Sequence, residues 1–272
     1  MNSSVKLSLL LLLSIISLGS FAQSWDIGGF VGGAAYMGDL NPVNPLKVNN
    51  LAFGAQVKRN FNPHWSLKLN FVKGKVEAYD GQSDSEQQRI RNLSFFSPVN
   101  EISLQTEFNF FKYVPSFSRK RYTPFLYAGL GMVTFNPKTI HSDGNTYELN
   151  LLGTEGQDFY KPYNTYALVI PYGGGVKYNI SGNWSLIAEA GYRTAYTDYL
   201  DDVSGKYASP ASLVVPNDPQ TTRLRQELAD RSVGKVGVPG TQRGDFRTKD
   251  TYMFVGLSIT YSIFSQKCPV VE

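Results

Sequence analysis

The sequence predicts an all-β chain: an eight-stranded antiparallel transmembrane β-barrel behind an N-terminal signal peptide. Three observations predict it. Residues 1–22 combine Lys6 in a short basic start, an apolar run at residues 7–18, and the small residues Ser20 and Ala22 around Phe21, the three-part pattern of a secretory signal. That run is short against the roughly 20 residues of a spanning helix, so cleavage after Ala22 is expected and residues 23–272 form the barrel domain. Further along, no apolar run approaches a helical span, yet eight runs alternate apolar with polar residues. Backbone groups in lipid must be paired inside a helix or a closed barrel, so an exported chain of this pattern reads as an outer-membrane barrel.

The first run starts at Trp25, and its Gly28, Gly29, Gly32 and Gly33 permit curvature or close interior packing. The second, from Asn50, sets Phe53, Ala55 and Val57 against Gln56 and Lys58, and period-two alternation sends the two sets to opposite faces. The third runs from Trp65 to Tyr79. The fourth, at residues 98–111, sets Ile102, Leu104, Phe108 and Phe110 against Glu101, Ser103, Gln105, Glu107 and Asn109. The fifth covers residues 123–136. The sixth, at residues 165–180, contains Pro171, whose missing N–H predicts a bulge. The seventh, from Trp184, sets Trp184, Leu186, Ala188, Ala190, Tyr192 and Tyr196 against Ser185, Glu189, Arg193 and Thr197. The eighth, at residues 250–264, sets Met253, Val255, Leu257, Ile259, Tyr261 and Ile263 against Ser258, Thr260 and Ser262.

Connections set the expected orientation. Runs two, four and six are followed by NPH, residues 112–122 and SGN, whereas residues 80–93, 136–164 and 198–249 are long. Short turns belong to the periplasmic side and long loops to the outside, so both termini are expected in the periplasm of a cell outer membrane, with long extracellular loops. Trp25, Trp65 and Trp184, with Phe61, Phe110, Phe111, Tyr113, Tyr178 and Phe264, suit an inner aromatic girdle; Tyr36, Tyr79, Phe135, Tyr166, Tyr196 and Tyr252 suit an outer one.

Composition agrees with a membrane protein. Charged residues make up 18% of the chain and aromatics 14%, against about 25% charged residues in a soluble domain. A net charge of +4 gives no reason to expect nucleic acid or another polyanion. Eight strands enclose room for side chains or one small ligand, and the expected interior set is Lys58, Lys68, Glu101, Glu107, Lys177, Glu189 and Arg193, read as a mutually paired plug. Catalysis is not expected. His64 and His141 fall at opposite ends of the barrel, no GxSxG stands in a nucleophile context, and no metal or cofactor motif appears. Asp198, Asp201 and Asp202 lack the spacing of a calcium loop and read as solvated loop charge. The lone Cys268, near the end of the chain, has no partner for an internal disulfide.

Residues 198–249 far exceed an ordinary hairpin connection. Within them residues 222–231 suit a short helix with Leu224 and Leu228 on one side, and the loop suits folding over the barrel or gripping an external ligand.

The eight-run plan, the segment GGAAYMGDLNP at residues 32–42 and the terminal YSIFSQKCP resemble the PorG-like outer-membrane β-barrel family of the Bacteroidetes type IX secretion system, across residues 25–269. The resemblance implies a noncatalytic, cofactor-free anchor for a periplasmic ring of PorK/PorN-like proteins. On that implication the partner-binding candidates are Asn62 and His64 in the first turn, Tyr113, Arg119, Lys120 and Arg121 in the second, Asn183 in the third, and Lys267 and Cys268 in the tail. The basic cluster suits outer-membrane lipid headgroups equally. The rival reading is a small surface barrel that binds a ligand, lipid or host molecule through its outer loops.

Overall fold

The structure, a computed structural model, describes residues 24–44, 47–232, 234–245 and 247–264; the signal segment and the tail with Lys267 and Cys268 lie outside them. Chain order gives β1 (Ser24–Met37), β2 (Val48–Asn60), β3 (Trp65–Tyr79), β4 (Ser94–Asn109) and β5 (Tyr122–Phe135), then a small hairpin of β6 (Lys138–Ile140) and β7 (Thr146–Glu148), then β8 (Tyr166–Ser181), β9 (Trp184–Ala195) and β10 (Thr251–Phe264). The eight long strands pair in the order β3-β2-β1-β10-β9-β8-β5-β4, and β3 pairs with β4 to close the ring. β1 meets β10 along its whole length, from Ser24↔Phe264 to Met37↔Thr251. The hairpin hangs from β4 at Phe96↔Lys138. No helix among the described residues is long and apolar enough to cross a membrane.

Alternation sorts the side chains. On β4, Glu101, Ser103, Gln105, Glu107 and Asn109 are buried, while Ile102 is 53% and Leu104 49% exposed. Around the ring Ile27, Val31, Phe53, Leu69, Phe71, Leu126, Leu130, Leu168 and Ile259 also face outward and exposed. In water such a continuous belt would forfeit about 25 cal/mol for each Å² of apolar surface it left wet, far beyond what a soluble monomer shows. Lipid removes that cost, so the architecture is a transmembrane barrel with a polar interior. Trp25, Trp65 and Trp184, at 42–51% exposure, ring the end that carries the short turns.

Two expectations change. Tyr36, Phe135 and Tyr252 do not form an outer girdle: they are 2%, 3% and 0% exposed. Tyr36 shares the inward parity of Phe30 and Ala34, and Tyr252 that of Phe254, so alternation turns both rings into the barrel. At that end Tyr166 and Tyr196 are exposed. Pro171 produces no bulge. It pairs with Arg193 in register, and on its other side the β5–β8 ladder is skipped between Ala128↔Tyr172 and Gly131↔Val169 and resumes unshifted. The missing donor is thus absorbed by a gap, and the irregularity in β8 falls at Asn179/Ser181, beside the Gly182 turn.

The larger apolar core sits at the long-loop end, and a small cluster of Phe125, Tyr127 and Ile187 lies within the barrel. Leu40, Leu93, Leu149, Leu152, Leu200, Val203 and Leu228 from the loops pack with Tyr36, Val76, Phe95, Val99, Val133, Phe135 and Phe254 from the strands. The loops therefore fold into a cap. Its helix, Pro219–Ala229, starts at Asp218, whose side chain accepts from Thr221 N at 3.0 Å, with Pro219 in the first turn, a strong start signal.

Gly32 shows how tightly the inner wall is packed. It faces Gly256 across the β1–β10 pair, and a Cβ there would lie 2.2 Å from the Val255 carbonyl oxygen and 2.7 Å from the Phe30 ring. Gly32→Val is expected to abolish the compact form. Wild-type protein should migrate faster before heating than after it in mild detergent, and the variant should migrate at the heated position in both lanes.

Candidate functional site

The barrel interior is a closed ion network. Glu107 sits among three lysines: Lys177 at 2.5 Å, Lys68 at 3.1 Å and Lys58 at 3.5 Å. Lys58 also reaches Asp26 at 3.2 Å, Lys68 reaches Glu189 at 3.2 Å, and Arg193 Nε reaches Glu101 at 3.2 Å. The Tyr252 hydroxyl donates to Glu101 at 2.8 Å. Aromatic faces complete the enclosure, with Lys68 over Tyr127 at 4.8 Å, Lys177 over Phe125 at 4.6 Å and Arg193 over Phe254 at 4.7 Å. All seven interior residues singled out from the sequence meet here. Asp26 was missed, although its inward parity and its register opposite Lys58 would have found it. Lys58, Lys68, Lys177 and Arg193 balance Asp26, Glu101, Glu107 and Glu189, four charges against four. Each buried ion is thereby paired, as burial requires.

The turn end is shut from below. Residues 110–121 fold across the mouth, with the Tyr113 hydroxyl donating to Ser185 Oγ at 2.7 Å and its N–H to the Pro63 carbonyl at 3.1 Å. Ser116 Oγ donates to Asn183 Oδ1 at 3.1 Å, and the Phe117 ring packs on Phe264 at 5.4 Å. Tyr113, expected at a partner surface and in the girdle, is instead a buried plug. β4 ends at Asn109, and the return of residues 110–121 across the mouth carries the ring inward. Asn62 is exposed, but its side-chain oxygen accepts from the N–H groups of His64 and Trp65 at 2.9 Å each and so is spent on the turn. His64 Nδ1 lies 2.8 Å from the Asn109 carbonyl. Arg119, Lys120 and Arg121 are exposed on the returning leg of the second turn.

The long-loop end is clamped by arginines. Arg91 donates to Asp80 at 2.7 and 2.8 Å, to the Asp39 carbonyl at 2.9 Å and to the Arg243 carbonyl at 2.5 Å. Arg243 donates to Glu155 and to the Asp202 carbonyl, both at 2.9 Å. Buried Arg225 ties the helix to the carbonyls of Gly153 at 3.1 Å and Gln157 at 2.9 Å. His141 pairs with Glu227 at 3.1 Å, at the opposite end from His64.

Asp201 and Asp202 are buried, contrary to the solvated role expected of them. The helix and the neighbouring loops close over them, a long-range effect that local spacing does not encode. Carboxylate oxygens of Asp39, Asp201 and Asp250 lie within 4.8 Å of one another, the one grouping among the described residues with a donor set for a hard cation. The Tyr36 hydroxyl donates to Asp201 at 2.5 Å and to Asp250 at 3.2 Å. Burial, reinforced by the neighbouring carboxylates, holds Asp201 and Asp250 well above the usual carboxylate range. Burial pushes Asp39 and Asp202 up to about 6.

A closed eight-stranded antiparallel barrel with an apolar outer belt, a polar interior and both mouths covered defines the class: a transmembrane β-barrel protein. The chain belongs to the family described as Domain of unknown function (DUF6089), whose family model matches residues 5–217. Similar solved structures include the N-terminal β-barrel domain of Pseudomonas aeruginosa OprF, at 12% identity over 89% of this chain and 98% of that one, with a TM-score of 0.37. A major outer membrane protein from Thermus thermophilus is 13% identical over 89% and 100%, with a TM-score of 0.42. Ail of Yersinia pestis, solved with the heparin analogue sucrose octasulfate, is 12% identical over 89% and 99%, with a TM-score of 0.39. No curated protein matches the sequence.

The ion pairs and the cap can each be tested. Glu107→Ala leaves three buried lysines short of their shared anion, at a cost of about 3–5 kcal/mol, and should lower the urea midpoint of the lipid-inserted barrel. The cap carboxylates favour folding in their protonated form. Asp202 ionises near 3.8 when released and near 6 when buried, so its contribution is complete below 3.8 and is lost as pH rises through about 6, a change on the order of 3 kcal/mol. The cap should therefore resist a broad-range protease better at pH 5 than at pH 8. Asp250→Asn, whose amide can donate to the Tyr36 oxygen, should reduce that difference.

Proposed function

We propose that this protein is a noncatalytic outer-membrane anchor that organises a periplasmic ring of the type IX secretion machinery. The observation that carries the reading is the sealed, charge-neutral barrel. Its interior is occupied by paired side chains, one mouth by Tyr113 and the other by the loop cap, an arrangement suited to holding a position in the membrane and not to passing solute. With the short turns in the periplasm, the ring would meet the exposed tip of the second turn at Ser116 and Phe117, beside the Gly182 turn. The sequence resemblance to PorG-like barrels supplies the identity of the ring, PorK/PorN-like proteins.

A second reading rests on a specific feature of the cap: a groove of about 400 Å³ lined by Tyr207, Pro210, Leu213, Arg223, Asp230 and Lys235. It favours an external ligand at residues 198–249.

One experiment separates the two. A photo-crosslinking phenylalanine analogue at Phe117, exposed on the turn end, should capture ring proteins in intact cells, and the same analogue at Tyr160, exposed on the loop end, should not. Capture at Tyr160 alone would favour the second reading. No ring protein at Phe117, with cargo export undisturbed by deletion of the protein, would reject the first.

A further inference from the structure

Among the described residues, the exposed charge at the turn end is of one sign. Along residues 59–64, 110–122 and 178–184 the charged side chains are Arg59, Lys112, Arg119, Lys120 and Arg121, with no Asp or Glu. Among the described residues Asp26 and Glu107, the carboxylates of the adjoining strand ends, are buried and bound to interior lysines. Lys112, Arg119, Lys120 and Arg121 are all exposed, and none is paired with an acid among the described residues.

Their depth identifies what they meet. The three tryptophans of the chain, Trp25, Trp65 and Trp184, all stand on this rim, and an aromatic ring of this kind marks headgroup level in a bilayer. Two cations at this end lie directly over aromatic rings. Lys120 Nζ is 3.8 Å from the centre of the Phe111 ring, and the Arg59 guanidinium is 4.8 Å from that of Trp25. Arg121 adjoins exposed Tyr122, and its carbonyl accepts from Asn179 N at 2.7 Å at the strand end. At about 3.3 Å per residue, residues 119–121 stay within roughly 10 Å of the girdle. Guanidinium groups at that depth match phosphate oxygens in charge and in fork geometry.

We propose that Lys112, Arg119, Lys120 and Arg121 form a binding rim for the phosphate headgroups of anionic phospholipid in the leaflet that faces the turns. The rim would fix the depth and tilt of the barrel and enrich acidic lipid around it. The proposal rests on the belt spanning a bilayer and is independent of the secretion role.

Because every tryptophan is on this rim, intrinsic fluorescence reports the lipid next to it. The full mature chain is inserted into vesicles containing brominated phosphatidylglycerol or brominated phosphatidylcholine, and the quenching gives a relative association constant. Wild type should prefer the acidic lipid by about fivefold or more, with the preference shrinking in high salt. R119S/K120S/R121S should bring it close to unity while keeping heat-modifiable migration, and R119K/R121K should retain most of it. Equal quenching by the two lipids in wild type, or an undiminished preference in the triple serine variant, overturns the proposal. Equal quenching by the two lipids in wild type, together with loss of periplasmic crosslinks in the triple variant, would assign the cations to an acidic protein surface. Should the triple variant fail to insert, the wild-type salt series decides, since a salt-independent preference is incompatible with phosphate pairing. Failure of wild type to insert at all would sink the membrane reading, a distinct outcome.

Discussion

Glu107 and the three lysines around it set the terms for the rest of the barrel. A lysine turned into a narrow barrel has no bulk water to solvate it, and it is tolerated only where a carboxylate is within reach. One glutamate on β4 satisfies lysines from β2, β3 and β8, and Asp26 and Glu189 supply the remaining acceptors from β1 and β9. The partners come from six strands, with β8 and β9 far from β1–β4 in sequence, so the network is complete only when the ring has its observed register. A slip of one residue would turn the charges toward lipid and the apolar belt inward. Electrostatics thus selects the register that the hydrophobic alternation also selects.

The cap solves a different problem. Above the ion network the barrel wall turns apolar, with Tyr36, Phe95, Phe135 and Phe254 facing in, and a wet mouth would expose them. Leucines from the loops cover these rings, and arginines then satisfy the loop carbonyls that the fold has buried. The membrane-level segment is therefore apolar outside and polar within, whereas the cap has the ordinary arrangement of a soluble core. The two regimes meet at Tyr36, whose ring packs edge-on against Phe95 at 4.9 Å while its hydroxyl bonds two aspartates.

Much of this was legible in the sequence because a barrel strand writes its two faces as alternate letters. Glu101 to Asn109 on β4 and Ser185 to Arg193 on β9 read directly, and so did the seven interior charges. The misreadings have separate causes. The amphipathic character of tyrosine points Tyr36, Tyr113 and Tyr252 to a girdle, but strand parity turns Tyr36 and Tyr252 inward and the fold of residues 110–121 buries Tyr113. The burial of Asp201 and Asp202 depends on contacts between segments remote in sequence, for which a local pattern has no signal. Pro171 was judged by its missing donor alone, and the ladder has enough slack to leave out two pairs.

The first strand of the ring is completed only by the last. Ser24 waits for Phe264, and the long connection between β9 and β10 must pass before that partner arrives. During synthesis and transit no leading fragment can finish its own ladder, so β1 and the growing edge both remain open, and open edges recruit other chains. The topology therefore leaves two edges exposed until β10 is delivered. A chain that stops short of β10 would be an open sheet with two adhesive margins, not a smaller barrel.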